Sequence, residues 1–105
     1  KWYVQSRSKA NPTGVYSIVK IMSERPEHHW WWSWEFIGKQ TRDGYYLSHR
    51  APARASDLAL FSPDIVEGRK IGKFAIYRLR RENQKLIDEF LNTHKYPCRQ
   101  KKQSP

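Results

Sequence analysis

The apolar positions in the N-terminal part of the chain come in short runs that predict β-strands. Residues 2–6 and 15–22 are rich in β-branched and aromatic types, which favour strands. The second run has apolar side chains at both odd and even positions, so we expect a central strand that is covered on both faces. A loop with Asn-Pro and Gly separates the two runs.

Residues 28–36, with the sequence HHWWWSWEF, hold four of the five Trp residues. Period two divides the strand that we predict over 30–39 into two faces. One face is an uninterrupted apolar row of Trp30, Trp32, Trp34 and Phe36. We expect this row to pack against the core of the domain. Trp31 shares its face with polar residues, so it either covers the second face of the sheet or is half-exposed and able to stack a nucleobase.

Two more strands follow from the pattern. Asp43-Gly44 is a turn signal, so residues 40–44 should connect the Trp-rich strand to a return strand over 45–49. Alternation over 69–79 predicts a fifth strand. Residues 50–68 have no clean period, and we interpret them as a structured loop with one or two short helical turns, in which Ser56 or Asp57 is a candidate cap.

The clearest helical pattern lies in residues 80–94. Its apolar stripe consists of Leu86, Ile87, Phe90 and Leu91, with polar and charged residues on the opposite face. We therefore predict a single compact α+β domain over residues 1–94, in which a small antiparallel sheet of about four to five strands packs against one C-terminal helix. Residues 95–105 are basic and predict a flexible C-terminal tail.

The distribution of charge indicates what the domain binds. The net charge is +10. The segment 68–81 has six basic residues and no acidic one, namely Arg69, Lys70, Lys73, Arg78, Arg80 and Arg81. The tail adds four more, including Arg99, Lys101 and Lys102, while the other ten basic residues balance all ten acidic ones. Such an asymmetry favours a polyanionic partner, although a solvated face and an ordinary soluble terminus are the simpler alternatives.

These observations predict a small, non-enzymatic nucleic-acid-binding protein. The basic residues of 69–81 and of the tail would contact phosphates, and Trp31, Tyr46 and Tyr77 could stack bases. The sequence has no legible helix-turn-helix, zinc-finger or RNA-recognition signature, so we expect binding that depends on shape, with DNA and RNA both open.

Two other functions are compatible with the sequence. A protein-interaction module, such as an inhibitor or an accessory subunit, would use the aromatic residues as a hot spot and the basic surface to bind an acidic partner. A small nuclease would build a general acid/base pair from His28 or His29 with His49, plus Glu35 or Asp43, but no phosphate-binding loop or nucleophile motif accompanies them. We therefore predict no catalytic residues.

The remaining features of the sequence bear on cofactors and compartment. His94 and Cys98 have the spacing of half a zinc site without a second half, so we predict neither a metal nor a cofactor. A single Cys cannot form an internal disulfide and favours a reducing compartment, cytoplasmic or nuclear. No apolar run approaches the ~20 residues of a membrane span.

Overall fold

The computed structural model describes residues 14–94, which form three α-helices and one three-stranded antiparallel sheet. The elements are α1 (Gly14–Glu24), β1 (Trp31–Trp32), a 3₁₀ turn (Ser33–Phe36), α2 (Ala51–Phe61), β2 (Val66–Ile71), β3 (Phe74–Leu79), a second 3₁₀ turn (Arg81–Asn83) and α3 (Gln84–His94). The mixed α+β class is confirmed. Within these residues, however, the sheet has fewer strands than expected, and three helices replace the single one. The strand predicted over 2–6 and the tail with Arg99, Lys101 and Lys102 lie outside the described residues.

Helix α1 occupies the segment for which we predicted a central strand, and that prediction was wrong. Every residue from Gly14 to Val19 is buried, as are Ile21 and Met22. A helix that is buried on all sides is apolar at nearly every position, and over eight residues this pattern cannot be distinguished from that of a covered strand. Helix α1 contacts α2, α3 and β3, which explains why it is apolar at nearly every position up to Met22 and why its partly exposed polar residues are limited to Lys20, Ser23 and Glu24.

Helix α2 replaces the structured loop that we expected. It begins at Ala51 with Pro52 in its first turn, and the Ser62 N–H closes its last turn on the Leu58 carbonyl at 2.8 Å. The candidate cap residues Ser56 and Asp57 therefore lie inside the helix. Its buried positions are mainly Ala, so the apolar stripe that normally marks a helix is weak here.

The segment predicted as a fifth strand is part of a β-hairpin. Strands β2 and β3 pair from Val66↔Leu79 to Ile71↔Phe74, and only Gly72 and Lys73 connect them. Gly72 has φ 67°, and glycine at the first position of a two-residue loop is the requirement of a type II′ turn. The strand predicted over 69–79 therefore includes the turn at Gly72 and parts of two separate strands.

The strand predicted over 30–39 is reduced to β1, which pairs with β3 through Trp31↔Tyr77 and Trp32↔Ile76. After it the chain turns into the first 3₁₀ segment, where the Glu35 carboxylate accepts a hydrogen bond from the Trp32 N–H at 2.7 Å. The predicted turn at 40–44 is present, since the Gly44 N–H bonds to the Thr41 carbonyl at 3.0 Å. The return strand over 45–49 is only an isolated bridge that joins Gln40 to Tyr46.

The core lies between the helices and one face of the sheet, and this face carries Trp31, not the row that we predicted. Trp31 is 0% exposed, whereas Trp34 is 53% exposed. The Trp31 ring stacks on His28 at 3.9 Å and on Phe36 at 5.0 Å between centroids. The alternation separated the two sets of side chains but assigned the core to the wrong set. Of the two alternatives that we left open for Trp31, the structure agrees with a ring that covers the sheet and not with a half-exposed one. Phe36 joins the core because the 3₁₀ turn breaks the period of two.

Helix α3 confirms that the C-terminal segment is helical, but it begins at Gln84 instead of residue 80, and Leu86 of the predicted apolar stripe is 39% exposed. Ile87 and Phe90 are buried and Leu91 packs against the same cluster. The helix packs chiefly against α1 rather than on the sheet. As a result, the face of the sheet away from the helices receives no cover from α3.

Candidate nucleic-acid interface

The face of the sheet that points away from the helices carries a mixed aromatic and basic surface. The strand register places Trp32, Ile76 and Arg69 side by side, with the Ile71↔Phe74 pair next to them. We call this the outer surface, and it comprises Trp30, Trp32, Trp34, Glu67, Arg69, Ile71, Phe74, Ile76 and Arg78. It brings two distant segments of the sequence together.

Trp32 is the centre of the aromatic part of the outer surface. The Trp34 ring stacks on it with a centroid distance of 6.0 Å and an interplanar angle of 11°. The Phe74 ring meets it edge-on, also at 6.0 Å, with an angle of 90°. Trp34 remains 53% exposed and Phe74 49% exposed. Exposed aromatic rings of this size that are fixed by neighbouring rings are typical of binding surfaces rather than of solvated ones.

Trp30 connects the aromatic residues to the basic ones. The guanidinium carbon of Arg69 lies 5.2 Å from the centre of the Trp30 ring, and that of Arg78 lies 5.5 Å from it. Both distances are within the range of a cation–π interaction. The two arginines are therefore oriented along the outer surface instead of extending freely into solvent.

Glu67 contacts three of the arginines that we predicted to bind phosphates. Its carboxylate accepts hydrogen bonds from Arg78 Nε at 2.7 Å and from Arg69 Nε at 3.1 Å, and Arg80 lies 3.6 Å away. Burial raises the pKa of Glu67, but the hydrogen bonds from Arg78 and Arg69 outweigh it and hold the pKa below its usual value. The run without acidic residues therefore faces the carboxylate of the residue directly before it, and Arg80 also lies 3.9 Å from Glu82, which follows the run.

Two basic residues at the end of the hairpin have no ion-pair partner among the described residues. Lys70 and Lys73 are exposed, and none of the ion pairs among residues 14–93 involves either of them. The Arg69 side chain is 63% exposed although it contacts Glu67. Ile71 and Phe74, which flank the turn, are each about half-exposed. The hairpin tip, residues 70–74, thus combines cations with exposed apolar side chains.

Two other candidates for phosphate contact, Arg80 and Arg81, donate hydrogen bonds to backbone carbonyls. Arg80 Nε donates to the Pro63 carbonyl at 2.7 Å, and Arg81 donates to the Met22 carbonyl at 3.0 Å in the last turn of α1. A cation at that position also satisfies a helix C-terminus. We assign Arg81 to the stability of the fold.

The stacking candidates predicted from the sequence do not lie on the outer surface. Trp31 and Tyr77 are paired neighbours on the inner face, and both are buried. Burial raises the pKa of Tyr77, although a hydrogen bond with Ser56 opposes this. Neither ring offers a face to a base in this conformation, so their assignment as stacking residues is corrected. Tyr46 is 45% exposed, but it lies at the isolated bridge outside the three-stranded sheet.

Sequence reasoning missed Trp30, Trp32, Trp34 and Phe74 as candidates for contact with a partner. A signal for them was present, because Phe74 and Ile76 share their face with Arg78, which indicates the wet side of that strand. The register Trp32↔Ile76 then assigns the Trp row to the same side. The pairing of these two segments, however, is a tertiary feature that alternation alone does not provide.

The acid and base candidates of the nuclease hypothesis have local structural partners. His28 Nε2 lies 3.3 Å from Glu35 Oε1, while its ring covers Trp31. Asp43 accepts hydrogen bonds from the Tyr16 and Thr41 hydroxyls, both at 2.6 Å. Burial raises the pKa of Asp43, but the hydrogen bonds from Thr41 and Tyr16 outweigh it and lower the pKa overall. His49 is exposed, and the His94 and Cys98 side chains lie outside the described residues.

Among the described residues, no group of three or more His, Cys, Asp or Glu side chains is placed to hold a metal ion. None of the helices in this part of the chain is long and apolar enough to cross a membrane. Comparison with protein-family models, with curated proteins and with solved structures finds no match to this chain.

Proposed function

We propose that this protein binds nucleic acid through the outer surface and the hairpin tip, without catalysing a reaction. The observation that supports the proposal best is that the exposed rings of Trp34 and Phe74 both contact Trp32, and that Phe74 lies on the hairpin that carries Lys70 and Lys73. Neither lysine has an ion-pair partner among the described residues. Nucleic acids present both matching features, namely phosphates for the cations and aromatic bases for the rings.

The arrangement of charge favours this function over a purely structural role. Arg78 and Arg80 lie close to Glu67, whereas the charge toward the turn increases through Arg69, Lys70 and Lys73. Burying the exposed rings against the core would stabilise the fold more than leaving them in water. A polyanion that covers them offsets both the exposed apolar area and the repulsion among the cations.

The test is the salt dependence of binding to a generic oligonucleotide. Each phosphate contact contributes about 0.7 to 0.9 to the slope of log K against log salt concentration. We expect Lys70→Gln with Lys73→Gln to reduce the slope by about 1.5 and to weaken binding. The matched control is Lys20→Gln with Lys85→Gln, which removes the same charge from α1 and α3 and should leave the slope nearly unchanged. Binding that is absent, or that does not depend on salt, would refute the proposal.

A protein-interaction module is the second candidate, and a separate observation favours it. Phe61, Ile65, Leu86 and Phe90 line a groove of about 330 Å³ between the end of α2 and α3. Leu60 and Phe61 at this end of α2 are 70% and 67% exposed. Recovery of one stoichiometric protein partner after nuclease treatment, with loss of that partner in Phe61→Ala, would support this function over the first.

A further inference from the structure

We infer that the outer surface binds an unpaired segment of nucleic acid, with bases stacked on Trp34 and Phe74 and phosphates bound by Arg69 and Lys73. This inference rests on the proposed function and names the class of its ligand. It depends on the geometry of the rings as well as on the charge.

The rings on the outer surface are held in place but remain accessible. Trp32 stacks on Trp34 with 6.0 Å between the ring centroids and nearly parallel planes, and Trp34 nevertheless remains 53% exposed. Phe74 is fixed by its edge-on contact with Trp32. A ring that already has one neighbour loses little side-chain freedom when a base stacks on it. In a duplex both faces of an internal base are covered, so only unpaired bases can use such rings.

The cations lie where a backbone that accompanies stacked bases would run. Lys73 directly precedes Phe74 in the chain and lies in the turn. Arg69 pairs across the sheet with Ile76, whose other neighbour is Trp32, and its side chain is 63% exposed. The surface therefore has cations on two sides of the aromatic centre. The same charge disfavours a second copy of this chain as the occupant, since like charges would face each other.

The experiment compares a labelled single-stranded oligonucleotide with a blunt-ended duplex of the same sequence, at the same salt concentration, by fluorescence anisotropy. We expect the full chain to bind the single strand more tightly. Trp34→Leu keeps an apolar side chain but removes the aromatic face, and it should weaken single-strand binding about five-fold or more. Trp34→Phe should restore most of the affinity. Phe61→Leu, which alters a ring that is 67% exposed near the α2–α3 groove, should not change it.

The outcomes separate this inference from the function on which it rests. If the duplex binds at least as tightly and Trp34→Leu has no effect, the inference is overturned while nucleic-acid binding stands. If neither oligonucleotide binds, both fail. If polyglutamate displaces the oligonucleotide at equal charge concentration, the surface recognises charge alone, and an acidic protein partner replaces the nucleic acid.

Discussion

Replacing Glu67 with glutamine should make the protein less stable and should nevertheless strengthen its binding to a polyanion. The Glu67 carboxylate contacts Arg78 at 2.7 Å, Arg69 at 3.1 Å and Arg80 at 3.6 Å. It is therefore both a structural partner of these arginines and a competitor of any phosphate that approaches them. Removing its charge separates these two roles.

The magnitude of the stability effect follows from the contacts. The Glu67 side chain is only 14% exposed and accepts two charge-assisted hydrogen bonds, so we expect a loss of about 1 to 3 kcal/mol in the free energy of unfolding. The pKa of Glu67 is lowered in the folded state. Its contribution to stability is therefore present above the pKa of an unfolded Glu, about 4.3, and is lost as the pH falls through the folded pKa.

Urea unfolding followed by Trp fluorescence measures the stability term, and a salt titration with an oligonucleotide measures the binding term. Glu67→Gln should shift the urea midpoint downward at pH 7 and should lose less stability between pH 7 and pH 3 than the unaltered protein. Its salt slope should increase by about 0.7 to 0.9 for each arginine that gains a phosphate. Glu82→Gln is the control, because Glu82 is 58% exposed and lies 3.9 Å from Arg80 only.

An unchanged affinity and salt slope in Glu67→Gln would refute the idea that this carboxylate competes with phosphates. An equal effect of Glu82→Gln would show that only net charge matters. In either case the arginines around Glu67 would belong to the fold alone.

Three further predictions test the core and its hydrogen bonds. Trp31→Ala should lower the free energy of unfolding, measured in urea, by about 3 to 5 kcal/mol, because the ring is fully buried. Trp34→Ala should lower it by less than about 1 kcal/mol. Equal losses would contradict the assignment of the two faces. Gly68→Ala should lower the free energy of unfolding by about 1 to 3 kcal/mol, because the added Cβ would lie 3.0 Å from both the Ala59 Cβ and the Tyr77 ring. An unchanged thermal unfolding midpoint would exclude this clash. Asp43→Asn should reduce the loss of stability between pH 7 and pH 3, because the lowered pKa of Asp43 contributes stability above about pH 4 that disappears in acid; an unchanged loss in circular-dichroism melts would speak against it.

The parts of the fold that were predictable from sequence are those with local signals. The helix over 84–94 has an apolar stripe with Ile87 and Phe90 at helical spacing. The sequence Asp43-Gly44 is by itself a turn signal, and a turn is present there. The helix α1 was not predictable in this way. It packs against three other elements, and burial of every residue from Gly14 to Val19 leaves too little of a polar face to distinguish a helix from a covered strand.

The candidate site was predictable in its charge but not in its rings. Lys70 and Lys73 are exposed and without ion pairs among the described residues, as the basic run suggested. The alternation around Trp31 gave two sets of side chains and no information about which set faces the helices. That information comes from the pairing of β1 with β3, which places Trp31 on the buried face beside Tyr77 and Trp32 on the outer face beside Ile76.

The most direct test of nucleic-acid binding by the outer surface uses the indole N–H signals of the five Trp residues. Each indole N–H gives one resonance in a ¹⁵N spectrum of the labelled protein. These resonances can be followed while a single-stranded oligonucleotide is added. We predict that the signals of Trp32 and Trp34 shift together with the backbone amides of residues 69–74, while that of Trp31 stays in place. Shifts confined to residues that line the α2–α3 groove, or no shifts at all, would contradict it.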